Sequence, residues 1–244
     1  MKNILLALLV VTNLTYASEG YLGMYDTQTK EKRLYSKFCK NNKLGDEFCM
    51  EYELKYPIIK DTKSMKMKSL VKEILEEKIR KFKKRNVKED VLNLLSDDPE
   101  ITWSWEDRTT IQLFATTEKS FTLAISNYNY SGGAHGNHTI EYENYNIESG
   151  KEIDMKDIFV KDFKTHLIFT ADKYYRESHH LSAGDSLTKV GWYGDKFILS
   201  DNFAITTKGL NFLYNPYEIK PYIAGITTFV LPYDRIESIM KTDE

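Results

Sequence analysis

The residues of this chain that are most able to do chemistry stand between Asn127 and Gly150, in the stretch NYNYSGGAHGNHTIEYENYNIESG. Ser131, His135 and His138 lie there among three glycines, and the aromatic runs on both sides are typical of β-strands. Such a group could bind a metal ion, activate a nucleophile, or shape a loop that contacts another molecule.

A metal site would need both histidines on one side of the chain. His135 and His138 have the H-x-x-H spacing, which brings two side chains to a common face in a helix. The neighbouring glycines disfavour a helix, and a third ligand would have to come from His179, His180 or Asp185. We therefore expect no metal and no cofactor.

The sequence gives only weak support for a nucleophilic mechanism. Ser131 lacks the G-x-S-x-G context and lies between two predicted strands, whereas a nucleophile elbow joins a strand to a helix. Glu141 and Glu143 could imitate a glycosidase pair, but two carboxylates two residues apart are more typical of a solvated strand face. We predict no catalytic residue, and a hydrolase that uses His135 remains an alternative.

A shaped loop suits the stretch better. Gly132 and Gly133 permit positive φ angles and the close approach of another backbone. Ser131 and His135 add hydrogen-bonding groups with little bulk, and loops on a rigid sheet often carry binding surfaces. The competing interpretation is a purely structural turn in which His135 bonds to a neighbour.

A second stretch, LYNPYEIKPYIAG at residues 213–225, contains Pro216-Tyr217 and Pro221-Tyr222. Proline stiffens a loop, so a tyrosine beside it loses little entropy on binding. Tyrosine is also a common anchor at interfaces. The competing interpretation is a packed corner that closes the sheet.

Two amphipathic helices are predicted to support these loops. Residues 64–85 and about 162–178 carry apolar residues at helical spacing, and Ser64 is a candidate N-cap. From Lys60 to Lys88 there are 12 basic and 4 acidic residues. This excess indicates a solvated face, with contact to anionic wall polymer or lipid headgroups as the alternative.

The remaining elements are predicted strands. Residues 50–59 alternate in polarity up to Pro57, and two runs that flank residues 117–119 predict a hairpin. The alternation shifts by one residue near Asn144, which predicts a β-bulge. The fold class expected is α+β: an antiparallel β-sheet with two main helices packed on it.

The N-terminus predicts the compartment. Lys2, a short apolar run and an Ala17 cleavage site are typical of a secretory signal peptide at residues 1–17. The apolar run is too short for a permanent anchor, so we expect no integral membrane anchor and a periplasmic or secreted protein. Export and a net charge of -2 argue against a nucleic-acid partner.

The cysteines fit this compartment. Cys39 and Cys49 are the two cysteines of the chain, and an exported protein would most simply join them in a disulfide. We divide the mature chain into an N-terminal segment with this disulfide, at residues 18–50, and one α+β binding unit. The halves of that unit are residues 51–148 and 149–244.

The two loop motifs together resemble an extracytoplasmic domain family of unknown function. The resemblance covers about residues 50–240 and depends on the elements SGGAH and PYEIxPYxxG, in this order. This family occurs in the lysozyme-binding ectodomain of the sigma-V anti-sigma factor and in the non-catalytic region of PdaC-type peptidoglycan deacetylases.

The resemblance implies binding, because loops of this domain in the anti-sigma factor enter the lysozyme cleft. It implies a ligand-binding surface made of seven residues, namely Ser131, Gly132, Gly133, His135, Pro216, Tyr217 and Tyr222. Between Ser126 and Phe159 six acids face two lysines, which would help to attract a cationic lysozyme. This chain lacks a visible sigma-binding segment or deacetylase motif.

The function expected is therefore that of a soluble exported binding protein. It would recognise a lysozyme-like muramidase and act as an inhibitor or sink. The main alternative is a cell-wall-associated module that binds peptidoglycan or assists an envelope enzyme.

Overall fold

The computed structural model describes residues 27–242, so the predicted signal peptide lies outside the described residues. The strands are β1 (Gln28–Asn41), β2 (Glu47–Asp61), β3 (Trp105–Thr116), β4 (Ser120–Tyr130), β5 (Asn137–Asn146), β6 (Phe203–Ile205), β7 (Gly209–Tyr214) and β8 (Thr227–Pro232). The α-helices are α1 (Met65–Lys83), α2 (Val87–Asp97), α3 (Met155–Ile158) and α4 (Lys164–Ser178).

The strands form two sheets. One has five strands in the order β1-β2-β3-β4-β5, and the other has three in the order β6-β7-β8. All pairings are antiparallel except β2 with β3, which is parallel because α1 and α2 carry the chain back between them. The predicted α+β class is confirmed, and the larger sheet is mixed.

The predicted helix at 64–85 corresponds to α1. The Ser64 side chain accepts a hydrogen bond from the Met67 amide and caps the helix as expected. Met67, Val71 and Leu75 are buried against the five-stranded sheet, which explains the helical spacing of the apolar residues.

The helix predicted near 162–178 corresponds to α4, which covers the three-stranded sheet. Leu167, Ala171 and Tyr175 are fully buried in the core of this part of the molecule. The hydroxyl of Tyr175 accepts a hydrogen bond from the Trp192 indole at 3.0 Å. Tyr174, three residues after Ala171, is only partly buried, because the step of four residues from Ala171 brings Tyr175 to the core.

Two elements go beyond the sequence-based prediction. β1 forms an edge of the larger sheet from part of the segment assigned to residues 18–50, and its side chains are mostly exposed. It carries five basic residues and one acidic residue, which hides the alternation of a buried strand and protects an open edge. α2 is short, and the Asn86 side chain caps it by accepting from the Glu89 amide.

The predicted bulge at Asn144 is wrong. The pairing of β4 with β5 continues without a shift from Ser120↔Asn146 to Asn129↔Asn137. The apolar residues change face because different layers cover the two faces of β5. Tyr142 packs on Phe114, whereas Tyr145 stacks on Phe121 in the core beneath α1.

The strand predicted to end near Pro57 continues to Asp61. β2 pairs with β3 only as far as Lys55, so Pro57 lies beyond that ladder. The missing N–H of the proline therefore removes no bond to β3.

The disulfide between Cys39 and Cys49 is present and joins directly opposed residues of β1 and β2. Closing a loop of this length should raise the free energy of unfolding by about 2–3 kcal/mol. We expect dithiothreitol to lower the urea midpoint accordingly. The variant with both cysteines changed to serine should start at the lower midpoint and show no further change with dithiothreitol. An unchanged midpoint in the reduced wild type would contradict the prediction.

Candidate functional site

The first of the two predicted loops joins β4 to β5 and consists of residues 131–136. Gly132 has a φ of +104°, and a Cβ at this position would lie 2.1 Å from the Trp103 indole nitrogen. That nitrogen donates to the Ser131 carbonyl at 2.7 Å. The glycine is required here because both the backbone angle and the indole exclude a side chain.

The second loop joins β7 to β8. Tyr217 has a φ of +72°, an uncommon angle for a tyrosine, and its amide donates to the Lys220 carbonyl at 3.0 Å. The Asn215 amide donates to the Glu218 carboxylate at 2.9 Å. These contacts hold Tyr217 outward, with 55% of its surface exposed.

Tyr222 joins the two loops. Its ring stacks on His135 with 3.9 Å between the centroids, and its hydroxyl donates to the Gly136 carbonyl at 2.8 Å. The ring of Tyr217 lies 5.6 Å from that of Tyr222. We call the surface made by His135, Tyr217 and Tyr222 the two-loop surface.

The other predicted site residues lie around this surface to different extents. Gly132 and Gly133 form the tip of the first loop, both with positive φ, and Pro216 precedes Tyr217 in the second. Ser131 is exposed, and Trp103 rather than the second loop holds its carbonyl. The structure therefore brings together the two motifs, with Ser131 at the margin.

Two asparagines that the sequence analysis did not identify join the three-stranded sheet to β5, Asn215 at the start of the second loop and Asn202 just before β6. Asn215 accepts from the Ile140 amide at 2.7 Å and donates to the Ile140 carbonyl at 3.2 Å. Asn202 accepts from the Tyr142 amide at 2.9 Å and also donates to the Ile140 carbonyl, at 2.7 Å. The side chains replace a neighbouring strand along this edge. No periodic signal in the sequence could have revealed these contacts.

A cleft of about 470 Å³ lies beside the second loop, where the two sheets meet. We call it the acidic cleft, since it is lined by Glu141, Glu152, Asp154, Asp201 and Glu218 and by no lysine or arginine. Burial raises the pKa of the Glu152 carboxyl, and nearby carboxylates raise it further. Asp154 is paired with Lys156 at 2.6 Å, so the negative charge of the cleft comes mainly from Glu141, Glu152, Asp201 and Glu218.

Not all acids of the 126–159 segment contribute to this charge. Glu143 pairs with Lys78 at 2.7 Å and Glu148 pairs with Lys66 at 2.6 Å, so α1 neutralises both. The acidic excess counted in the sequence is accordingly smaller in the folded protein, and it concentrates in the acidic cleft.

The histidines have separate environments. His138 Nε2 lies 2.7 Å from the Ser126 hydroxyl, and burial lowers the pKa of its imidazole. Within residues 27–242 no carboxylate bonds to the other ring nitrogen, so this pair lacks the third group of a catalytic triad. His135 is stacked on Tyr222, while His179 is stacked on Tyr175.

Among residues 27–242, one group of potential metal ligands is close enough to share an ion: Cys39, Glu47 and Cys49. Both sulfurs are consumed by the disulfide, so they are not available as thiolates. His135 stacks on Tyr222, whereas His138 lies beside the Ser126 hydroxyl. The two rings do not form a common metal site with the described residues.

Comparison with known proteins divides the chain into two matched segments. Residues 45–138 match the family described as Deacetylase PdaC, and residues 156–234 match the Protein of unknown function family DUF3298. One segment of the chain is thus similar to each family, which confirms the resemblance to PdaC-type proteins and to a family of unknown function. We call them the PdaC-type and DUF3298 segments. The first loop lies in the former and the second loop in the latter.

One relative and two solved structures are similar to the chain. It is 24% identical over 200 residues to the peptidoglycan-N-acetylmuramic acid deacetylase PdaC of Bacillus subtilis, covering 81% of this chain and 40% of that protein. A DUF3298 structure from Bacteroides fragilis has a TM-score of 0.65 at 17% identity, covering 90% of this chain and 96% of that one. One from Pseudomonas aeruginosa has a TM-score of 0.59 at 20% identity, covering 88% and 96%.

These comparisons establish a fold and a distant relationship. The chain spans about two fifths of the Bacillus subtilis protein, and the solved structures share its architecture over almost their whole length. No helix within residues 27–242 is long and apolar enough to span a membrane.

Proposed function

We propose that this protein is an exported binding protein that recognises a cationic, lysozyme-like muramidase through the two-loop surface, as an inhibitor or sink. The observation that carries the proposal is the contact of Tyr222 with His135 and Gly136, which makes one surface from two distant loops. An exposed tyrosine on a loop held by internal hydrogen bonds is a suitable anchor for a protein partner.

The charge distribution supports a cationic partner. The acidic cleft shares Asn215 and Glu218 with the second loop, so its negative potential lies next to Tyr217. Such a field accelerates the approach of a positively charged protein and weakens as salt screens it. The disulfide supports export, because such bonds persist in oxidising compartments.

The change Tyr217→Ala should weaken muramidase capture by about thirtyfold, the size expected when an aromatic anchor is removed. The measurement is calorimetric titration of the protein with a cationic lysozyme, at low and high salt. Tyr35→Ala is the matched control, because Tyr35 is 46% exposed on β1, outside both loops.

Equal binding by the wild type and Tyr217→Ala would reject the assigned surface. Failure of the wild type to bind any cationic muramidase would reject the proposed partner. An affinity for lysozyme that does not fall as salt rises would show that the acidic cleft does not contribute to binding.

The second candidate is a wall-associated module that binds peptidoglycan or assists an envelope enzyme. It is favoured by the similarity of the PdaC-type segment to a peptidoglycan deacetylase. Sedimentation with purified peptidoglycan separates the two candidates, since a muramidase inhibitor should remain in the supernatant.

A further inference from the structure

A second recess, of about 540 Å³, lies on the PdaC-type segment and takes no part in the proposed muramidase recognition. It is bounded by α2, by the first residues of β3 and by the end of β4. Tyr52, Trp105 and Tyr130 line it, and the sheet register brings them together because Met50 pairs with Trp105. We call it the aromatic groove. Its volume suits a small-molecule or oligomer site.

The groove carries more acid than base. Asp90, Asp97, Glu106 and Asp107 line it, with Arg85 as the basic residue of the lining. Glu106 is paired with Arg108 at 2.8 Å, which leaves Asp90 and Asp97 as the carboxylates of the lining without a basic partner among residues 27–242. Arg85 is occupied, since it pairs with Asp107 at 2.8 Å and lies 3.4 Å over the Tyr52 ring. The groove is therefore unsuited to phosphate polymers and suited to a ligand with positive charge.

The end of α2 adds to this negative character. Asp97 is the last residue of the helix, and the last turn contains no basic residue. The partial negative charge of the helix C-terminus therefore adds to that of the Asp97 carboxylate, and no basic side chain of the last turn offsets it. Asp90, two turns earlier on the same face of α2, accepts a hydrogen bond from the buried Tyr52 hydroxyl at 2.8 Å, which orients its carboxylate.

Neutral polar groups complete the lining. Asn93 and Asn129 offer amides that both donate and accept, and the buried Trp105 indole N–H has no partner among the described residues. Flat aromatic faces beside amides and carboxylates match a pyranose ring, which presents C–H groups on its faces and hydroxyls at its edge. A lysine side chain would use the carboxylates but not the amides.

We propose that the aromatic groove binds a sugar chain whose residues carry free amino groups. The rings of Trp105 and Tyr130 pack on the faces of the sugars, the amides bond to hydroxyls, and Asp90 and Asp97 bind the protonated amine. The site is independent of the two-loop surface, although Ser131 of the first loop also lines the groove.

The test is titration of the full mature chain with a glucosamine tetramer and, separately, an N-acetylglucosamine tetramer, followed by calorimetry and tryptophan fluorescence. We expect the glucosamine tetramer to bind at least about tenfold more tightly, because only its amines can form charge-assisted bonds. Asp97→Asn should weaken it about fivefold or more, and the exposed position of Asp97 keeps the fold intact.

Tyr217→Ala should leave binding of the glucosamine tetramer unchanged, which separates this proposal from the muramidase surface. Equal affinity for the two tetramers, no binding of either, or unchanged binding by Asp97→Asn would each overturn it. Tetralysine binding as tightly as the glucosamine tetramer would also overturn it and would assign the groove to a cationic peptide.

Discussion

Changing Gly209 to alanine should lower the free energy of unfolding by about 3–5 kcal/mol, because the cost of a strained backbone adds to the cost of overpacking. Gly209 opens β7 with a φ of +151°, and an added Cβ would lie 2.2 Å from the Leu231 carbonyl oxygen of β8. That atom belongs to a paired backbone and cannot move without loss of the ladder. The Gly209 carbonyl also accepts the buried Thr206 hydroxyl at 2.8 Å.

The matched control is Gly45→Ala, which separates the backbone angle from the clash. Gly45 has a φ of +93° with no heavy atom near the added Cβ, so the change should cost only about 1–2 kcal/mol. Urea unfolding followed by circular dichroism measures both variants. Equal losses for the two variants would show that contact with Leu231 has no effect.

The second large effect is expected for Asn144→Ala, which should lower the free energy of unfolding by about 3–5 kcal/mol. The loss is large because the change leaves buried groups unpaired and also opens a cavity. Asn144 is 3% exposed between the two sheets. It donates to the Phe203 carbonyl at 2.8 Å and accepts from the Ile205 amide at 2.9 Å and the Thr122 hydroxyl at 2.7 Å. Alanine leaves the Phe203 carbonyl and the Ile205 amide without this partner, while the Thr122 hydroxyl keeps its contact with the Ile205 carbonyl at 3.3 Å.

Asn137→Ala is the control for Asn144→Ala, because Asn137 is exposed on the same strand and should change stability by less than about 0.5 kcal/mol. Thr122→Val removes one of the three bonds and should cost about 1 kcal/mol, which keeps the effect measurable if the alanine variant does not fold. Urea midpoints of the three variants give the comparison. A loss below about 1 kcal/mol for Asn144→Ala would contradict the account.

Periodicity in the sequence was sufficient for the elements that bury one face. α1 and α4 were predicted because Met67, Val71, Leu75, Leu167 and Ala171 repeat at the spacing of a helix against a sheet. β1 was missed because an exposed edge strand has no buried face to impose alternation. The bulge was wrongly predicted because both faces of β5 carry apolar residues that contact another layer, so its apolar pattern changes without a change in register.

The candidate site was accessible to sequence analysis only in part. Glycine and proline indicated two shaped loops, and the family resemblance suggested that they act together. The hydrogen bonds of Asn202 and Asn215 to β5 depend on how the two sheets meet, which no local pattern encodes. The aromatic groove depends on the parallel pairing of β2 with β3, and its residues are distant in sequence.

The stack of Tyr222 on His135 crosses the boundary between the PdaC-type and DUF3298 segments. Recognition of a partner would consequently depend on both segments together. A chimera that takes one segment from a relative would present each loop beside a foreign neighbour, and partner specificity should transfer only when both loops are exchanged together.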